Sequence, residues 1–167
     1  KDIPTLINSF KLVCEKLPDA QLIVAGHGSA KQTIRFQELI QKHDLEKNIH
    51  LYGNIDNPEH LIAAADLFVL SSIYETVPLV LLEALQFSTP VVMTDVGIAK
   101  QVLSGDAGTY VPIKNPALLS FNIVEWLNKI REEKIDYSQI SKMVNELISS
   151  DQTVTPIIEI YEELASD

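Results

Sequence analysis

The sequence predicts an α/β fold, a doubly wound open parallel sheet with helices on both faces, and three observations carry that prediction. Short apolar runs alternate with helical stretches over roughly the first two thirds of the 167 residues. Those runs are nearly all apolar rather than alternating with polar residues, as strands covered on both faces are. The early runs also stop at a glycine, after which polar, turn-forming residues lead into the next helical stretch.

Taken in order, Leu6, Ile7, Phe10, Val13, Cys14 and Leu17 recur at helical spacing and predict a first helix. A strand follows over Gln21–Ala25 and ends at Gly26, then a polar helix over about 30–43 and a strand near Ile49–Tyr52 that ends at Gly53. A short helix around 58–65 leads to a strand over Leu67–Leu70, a helix from Pro78 and a strand over Pro90–Thr94. A short helix after Gly97 and a brief strand over Thr109–Val111 complete an α/β core over 1–112. From Pro116 the pattern turns helical, with Leu118, Leu119, Ile123, Trp126, Leu127 and Ile130 on one face. Further helices are expected over 138–149 and 154–165, so that 113–167 forms a helical tail to a single domain. The whole is Rossmann-like. A parallel sheet entered through a helix requires a strand before that helix, so the first strand is expected upstream of Lys1 and the chain reads as an excised piece.

Composition narrows the function. A formal charge of −10 and a pI near 4.8 argue against nucleic acid as a partner, which is gripped by clustered Lys and Arg. A small phosphate ester is not excluded, because one or two cations and free backbone N–H groups hold it in an acidic protein. Cys14 is the only cysteine, which rules out an intrachain disulfide and fits a buried small hydrophobe. No apolar run approaches the roughly 20 residues that span a bilayer, and the cytoplasm is the expected location. No His, Asp or Glu cluster has metal-ligand spacing, so no metal is expected, and no cofactor is expected either.

In an open α/β sheet ligands lie beyond the carboxyl ends of the strands, so the segments that follow strands are the candidates. Gly26, His27, Gly28 and Ser29 form a small-residue turn into a helix, which suits a ligand loop or a plain strand-to-helix turn. The stretch Ser71–Glu83 is more informative. Pro78 suits the first helical turn, with Thr76 or Val77 at the cap, and the free N–H groups of that turn would face the strand-end crevice. Glu75 precedes this helix. Glu83 lies within it among Val80, Leu81, Leu82, Ala84 and Leu85, where a carboxylate is costly to bury unless paired hydroxyls donate to it. The same spacing also fits a surface position on an amphipathic helix.

The stretch ADLFVLSSIYETVPLVLLEALQFSTPVVMTDVGI resembles the donor-site signature of the retaining glycosyltransferases of GT-B fold, the group 1 or family 4-like enzymes. Two glutamates separated by seven residues, here Glu75 and Glu83, carry the resemblance. Pro78, Ala84, the Pro90, Val91, Val92 run, Asp95, the Gly26 to Gly28 turn and the stretch ending at Gly53 support it. It implies a nucleotide diphosphate sugar, UDP- or GDP-linked, as donor substrate for hexosyl transfer with retention of configuration. It further implies Glu83 on the ribose hydroxyls, Glu75 near the reacting centre, Lys1 on the diphosphate, and Ser72, Thr76, Val77, Pro78 and Leu79 around sugar and phosphate. Gly26 and Gly28 complete the expected binding set. A second Rossmann-like domain, N-terminal to this one, would supply most of the site for a glycan, lipid or other acceptor, so the chain alone should catalyse little. Peripheral association of a whole enzyme with the inner membrane face follows from the resemblance only. Thr76, Ser88 and Lys100 depart from the pattern and place activity in question. A non-catalytic nucleotide-binding or assembly module and a sugar-nucleotide epimerase are the alternatives.

Overall fold

A computed structural model describes residues 1–149. The helix expected over 154–165 lies outside the described residues. Helix α1 (Ile3–Cys14) is started by Asp2, whose carboxylate accepts from the Thr5 amide, and it buries Leu6, Ile7, Phe10 and Val13 as one stripe. Strand β1 (Leu22–Ala25), helix α2 (Ala30–Lys42), strand β2 (Ile49–Gly53), helix α3 (Pro58–Ala64) and strand β3 (Phe68–Leu70) follow. Then come α4 (Leu79–Gln86), β4 (Val91–Thr94), the single turn α5 (Ala99–Val102), β5 (Gly108–Val111), α6 (Pro116–Arg131) and α7 (Tyr137–Ser149). Each expected element up to residue 149 is present, within a few residues of its expected bounds.

All three ladders are parallel, as expected, and they form two sheets, β1–β2 and β3–β4–β5. Helices α1, α2 and α6 pack together, and α3, α4 and α7 pack together on the opposite face. One strand departs from the expected cover on both faces. Strand β4, paired on both edges, is buried at every position, whereas Ile23 in β1 is 48% exposed. In β1 only Leu22 is buried and Ala25 is exposed as well, so this strand lacks the cover on both faces that β4 has.

One core runs through both sheets. Its longest-range joint is α1 on α6, where Leu6, Ile7 and Phe10 are buried on one helix and Leu119, Ile123 and Trp126 on the other. Each such side chain contributes about 1.5–3 kcal/mol through burial. Asn115 caps α6 through the Leu118 amide, Pro116 opens it, and Lys129 and Arg131 complement the dipole at its end. Cys14 is half-buried rather than fully so, and burial pushes its thiol pKa up, which keeps it in the unreactive protonated form. Among the described residues no helix is long and apolar enough to cross a membrane.

Candidate functional site

The carboxyl ends of the strands share one rim, and the loop after β3 is its best-anchored part. Thr94, 1% exposed at the end of β4, donates its hydroxyl to the Ser72 carbonyl at 2.5 Å. That bond fixes the point at which the chain leaves β3. Ser72 is fully buried and its hydroxyl donates to Glu75 Oε1 at 2.6 Å. The Lys1 ammonium donates to the same carboxylate oxygen. Ser71 adds a second tie to the start of the chain, donating to the Asp2 carbonyl at 3.1 Å. Lys1, Ser72 and Glu75, expected separately, therefore form one cluster. The Lys1 and Ser72 hydrogen bonds hold the Glu75 carboxyl below the usual carboxylate range, against a smaller upward push from burial.

Helix α4 begins at Leu79, one residue later than expected, with Pro78 as its N-cap at φ −72° and ψ 101°. Thr76 and Val77 are thus not at the cap but in the loop before it. Gly97 packs closely against this loop: a Cβ there would stand 2.5 Å from the Thr76 carbonyl oxygen and 3.2 Å from Pro78 Cδ. The turn at Gly97 and the extended Pro78 are thus packed together just ahead of α4.

The helix starts along this rim differ in what they offer an anion. At α1 the Asp2 carboxylate already occupies the first-turn donors Thr5 N and Thr5 Oγ1. At α2, Ser29 and Gln32 form a reciprocal capping box, so the Gly26, His27, Gly28 turn leads into a helix end that partly satisfies itself. At α3 the first turn carries Glu59, which repels negative charge. Helix α4, like the single turn α5, has neither a side-chain cap nor an acid in its first turn, and of the two α4 is the longer, at 8 residues against 4. Its Leu79 and Val80 amides precede the first intrahelical donor, Leu81, which bonds back to the Pro78 carbonyl. The start of α4 therefore keeps its amide charge uncompensated by any side chain of its own first turn.

Glu83 is exposed on α4, and its carboxylate has no hydrogen-bond or ion-pair partner among the described residues, so it is available to hydroxyl donors from outside the chain. The concern that it is buried without partners does not arise, because α4 turns Leu81, Ala84 and Leu85 inward and Glu83 outward. Gly26 and Gly28 lie beyond β1, and among the described residues no hydrogen bond joins them to the Glu75 cluster. Lys100 is paired with Asp95 at 2.7 Å and stands 5.8 Å from the Tyr110 ring centroid, and the Asp95 bond raises its pKa. Ser88 takes left-handed backbone at φ +57° at the end of α4, the conformation for which glycine is favoured.

Thr94, Ser71, Asp2 and Gly97 shape the site although the sequence reading did not single them out as contributors. Thr94 had a signal, a hydroxyl closing an otherwise apolar strand; the contact made by Gly97 had none. Among the described residues no group of three His, Cys, Asp or Glu is arranged to hold a metal.

A family model for glycosyl transferases group 1 matches residues 1–143. An uncharacterized glycosyltransferase of Methanocaldococcus jannaschii, MJ1059, is 43% identical over 90 residues, 54% of this chain and 22% of that protein. The Saccharomyces cerevisiae phosphatidylinositol N-acetylglucosaminyltransferase GPI3 subunit is 26% identical over 156 residues, 92% of this chain and 34% of that protein. The chain therefore spans between a fifth and two fifths of the length of the curated relatives it matches. Among solved structures, a point mutant of S. aureus TarM, in complex with Fondaparinux, alpha-GlcNAc-glycerol and UDP, superposes with a TM-score of 0.70. It is 26% identical, with 90% of this chain and 33% of that one covered.

Proposed function

Because the chain belongs to the group 1 glycosyl transferases, we propose that it is the donor-binding part of a retaining hexosyltransferase and holds a nucleotide diphosphate sugar at the rim formed by Lys1, the Ser72–Pro78 loop and the start of α4. The observation that carries this reading is the start of α4, which has neither a side-chain cap nor an acid in its first turn and follows closely on Glu75, whose carboxylate holds the Lys1 ammonium. That the TarM structure contains UDP supports it.

A diphosphate at this place accepts from the Leu79 and Val80 amides and from Lys1. The phosphate competes with Glu75 for the Lys1 ammonium and so loosens the carboxylate that the lysine now holds. Exposed Glu83 takes the ribose hydroxyls, one to each carboxylate oxygen. Ile73, Tyr74, Val77 and Leu79, all exposed, give an apolar rim for the flat faces of base and sugar. In the transfer, the bond between the anomeric carbon and the phosphate oxygen breaks and an acceptor hydroxyl oxygen takes its place on the same face. The hydroxyl proton passes to the departing diphosphate. Negative charge grows on that leaving group, and Lys1 with the α4 start stabilises it as a preorganised electrostatic site. The acceptor, and the second domain that would hold it, lie with the rest of a longer polypeptide.

Calorimetric titration with UDP, GDP and ADP tests the reading. We expect saturable binding of one of the three, weakened by about tenfold or more in Glu83→Ala, an effect of about 1.4 kcal/mol. Because Glu83 is exposed and makes no polar contact among the described residues, the variant should keep its stability to about 0.5 kcal/mol. Equal affinity in chain and variant would remove Glu83 from the site; no binding by any of the three would count against a complete donor site in this chain.

A further inference from the structure

Thr94 closes β4 and carries the one polar side chain in that strand. At 1% exposed, its hydroxyl sits where a polar group is costly unless it is bonded. It is bonded twice, reaching across to β3 to meet the Leu70 carbonyl at 3.3 Å and the Ser72 carbonyl at 2.5 Å. The backbone that carries Thr94 is itself pinned from the other side. The Asp95 amide donates to the Val111 carbonyl of β5 at 2.7 Å, and the Val96 amide closes back on the Thr94 carbonyl at 2.8 Å. A β-branched side chain on such a backbone has little freedom at χ1, so its hydroxyl is a fixed point.

That point sets the residue that makes the next bond. Ser72 is fully buried, and with its carbonyl held by Thr94 its hydroxyl donates to Glu75 Oε1 at 2.6 Å. Lys1 donates to the same oxygen. Among the described residues Oε2 accepts no hydrogen bond, so one carboxylate oxygen is held from within the fold and the other is left to a donor from outside. The two holders of Oε1 are not alike. Lys1 is exposed and its ammonium can be drawn off by an anion, whereas the Ser72 hydroxyl is buried and tied to a strand end.

Resting on the donor reading above, which puts Glu75 beside the transferred sugar, we propose that Thr94 is a positioning residue for the transfer: through the Ser72 carbonyl it sets the Ser72 hydroxyl, and through that hydroxyl it holds Glu75 Oε1 so that Oε2 is offered to a hydroxyl of the sugar. Its part grows once the donor is bound. As the phosphate takes the Lys1 ammonium, the Ser72 bond becomes the remaining hold on Oε1, and a carboxylate released from it would lose the orientation that a reacting site requires.

Carbon-13 NMR titration of the Glu75 carboxyl tests this without nucleotide, so its outcome is independent of whether a donor binds. The Lys1 and then the Ser72 hydrogen bonds hold that carboxyl low, and the Lys1 ammonium and amino group add to this by their charge. Lys1 is the same in every variant, so a change reports the Ser72 bond. The titration is expected to move up in Ser72→Ala and in Thr94→Val, to stay in place in Thr94→Ser, which keeps the hydroxyl, and to move no further in the double variant Ser72→Ala with Thr94→Val than in Ser72→Ala alone. An unmoved titration in Ser72→Ala or in Thr94→Val, or an equal rise in Thr94→Ser, overturns the proposal. So does a rise from Thr94→Val that repeats in full on the Ser72→Ala background, because Thr94 would then act by loosening the loop and not through Ser72. Amide spectra check the fold of each variant; should Thr94→Val not fold, Thr94→Cys, which puts a far weaker donor in the same space, takes its place with the same expectations.

Discussion

Replacing Gly97 by alanine tests how far the two loops of the rim depend on each other. Gly97 has φ +58°, and the added Cβ would stand 2.5 Å from the Thr76 carbonyl oxygen, so backbone must move. Two costs combine. Left-handed backbone costs a non-glycine residue about 1 kcal/mol, and displacing Thr76–Pro78 adds about 1–3 kcal/mol, typical of overpacking. Gly105→Ala isolates the first cost, because φ there is +54° and the nearest atom to a Cβ is Gln139 Oε1 at 4.0 Å. With a urea slope of about 2 kcal/mol per molar, the Gly105 variant should lose about 0.5 M in midpoint and the Gly97 variant about 1–2 M. The Gly97 variant should also bind nucleotide more weakly, because the loop it pushes carries the start of α4. Equal midpoints for the two variants would refute the idea that Gly97 holds the loop by packing.

Two further expectations follow from the same segment. Ser88 closes a Schellman motif at the end of α4, its amide bonding to Leu85 and the Thr89 amide to Ala84, both at 2.9 Å. Its hydroxyl meets Ser141 Oγ at 2.7 Å, a contact that both Ser88→Gly and Ser88→Ala remove. Glycine is expected to exceed alanine by about 1 kcal/mol, or about 2–4 °C in Tm by calorimetry; equal Tm values would mean that the left-handed turn is not retained. Glu75 supplies a pH dependence. Its carboxyl pKa is lowered in the folded chain, by the Lys1 and Ser72 hydrogen bonds, so its stabilising effect is complete above the ordinary carboxylate value of about 4.3 and is lost as pH falls through the lowered one. The stability advantage of the chain over Glu75→Gln, measured by urea unfolding from neutral pH downward, should shrink on acidification. An advantage that grows would reverse the assignment.

The fold was legible where local chemistry decides it. The apolar run over Val91–Thr94 reads as a strand covered on both faces and is buried throughout, and the Ser29 start of α2 reads as a turn into a helix and is its cap. What differed was the cover of β1. Nothing in the composition of Leu22–Ala25 sets it apart from a covered strand, so Ile23 read as interior and is half exposed. The site divides in the same way. The Ser71–Glu83 stretch announced itself through a strand end, a proline and two carboxylates. The start of α4 lies one residue later than expected, a difference of the size at which helix ends are defined. Lys1 was named from resemblance alone, and its bond to Glu75 joins residues 74 positions apart, a separation that no local pattern spans.

The division of the sheet also bears on how the domain assembles. Strands β1 and β2 fall within the first part of the chain and β3, β4 and β5 within the next, so each ladder forms from neighbouring segments with modest loop-closure entropy. The exception is the seat of α6 on α1, which closes a loop of about 100 residues. Topology of this kind favours early formation of the two strand units and late docking of α6, which then acts as the clasp between them.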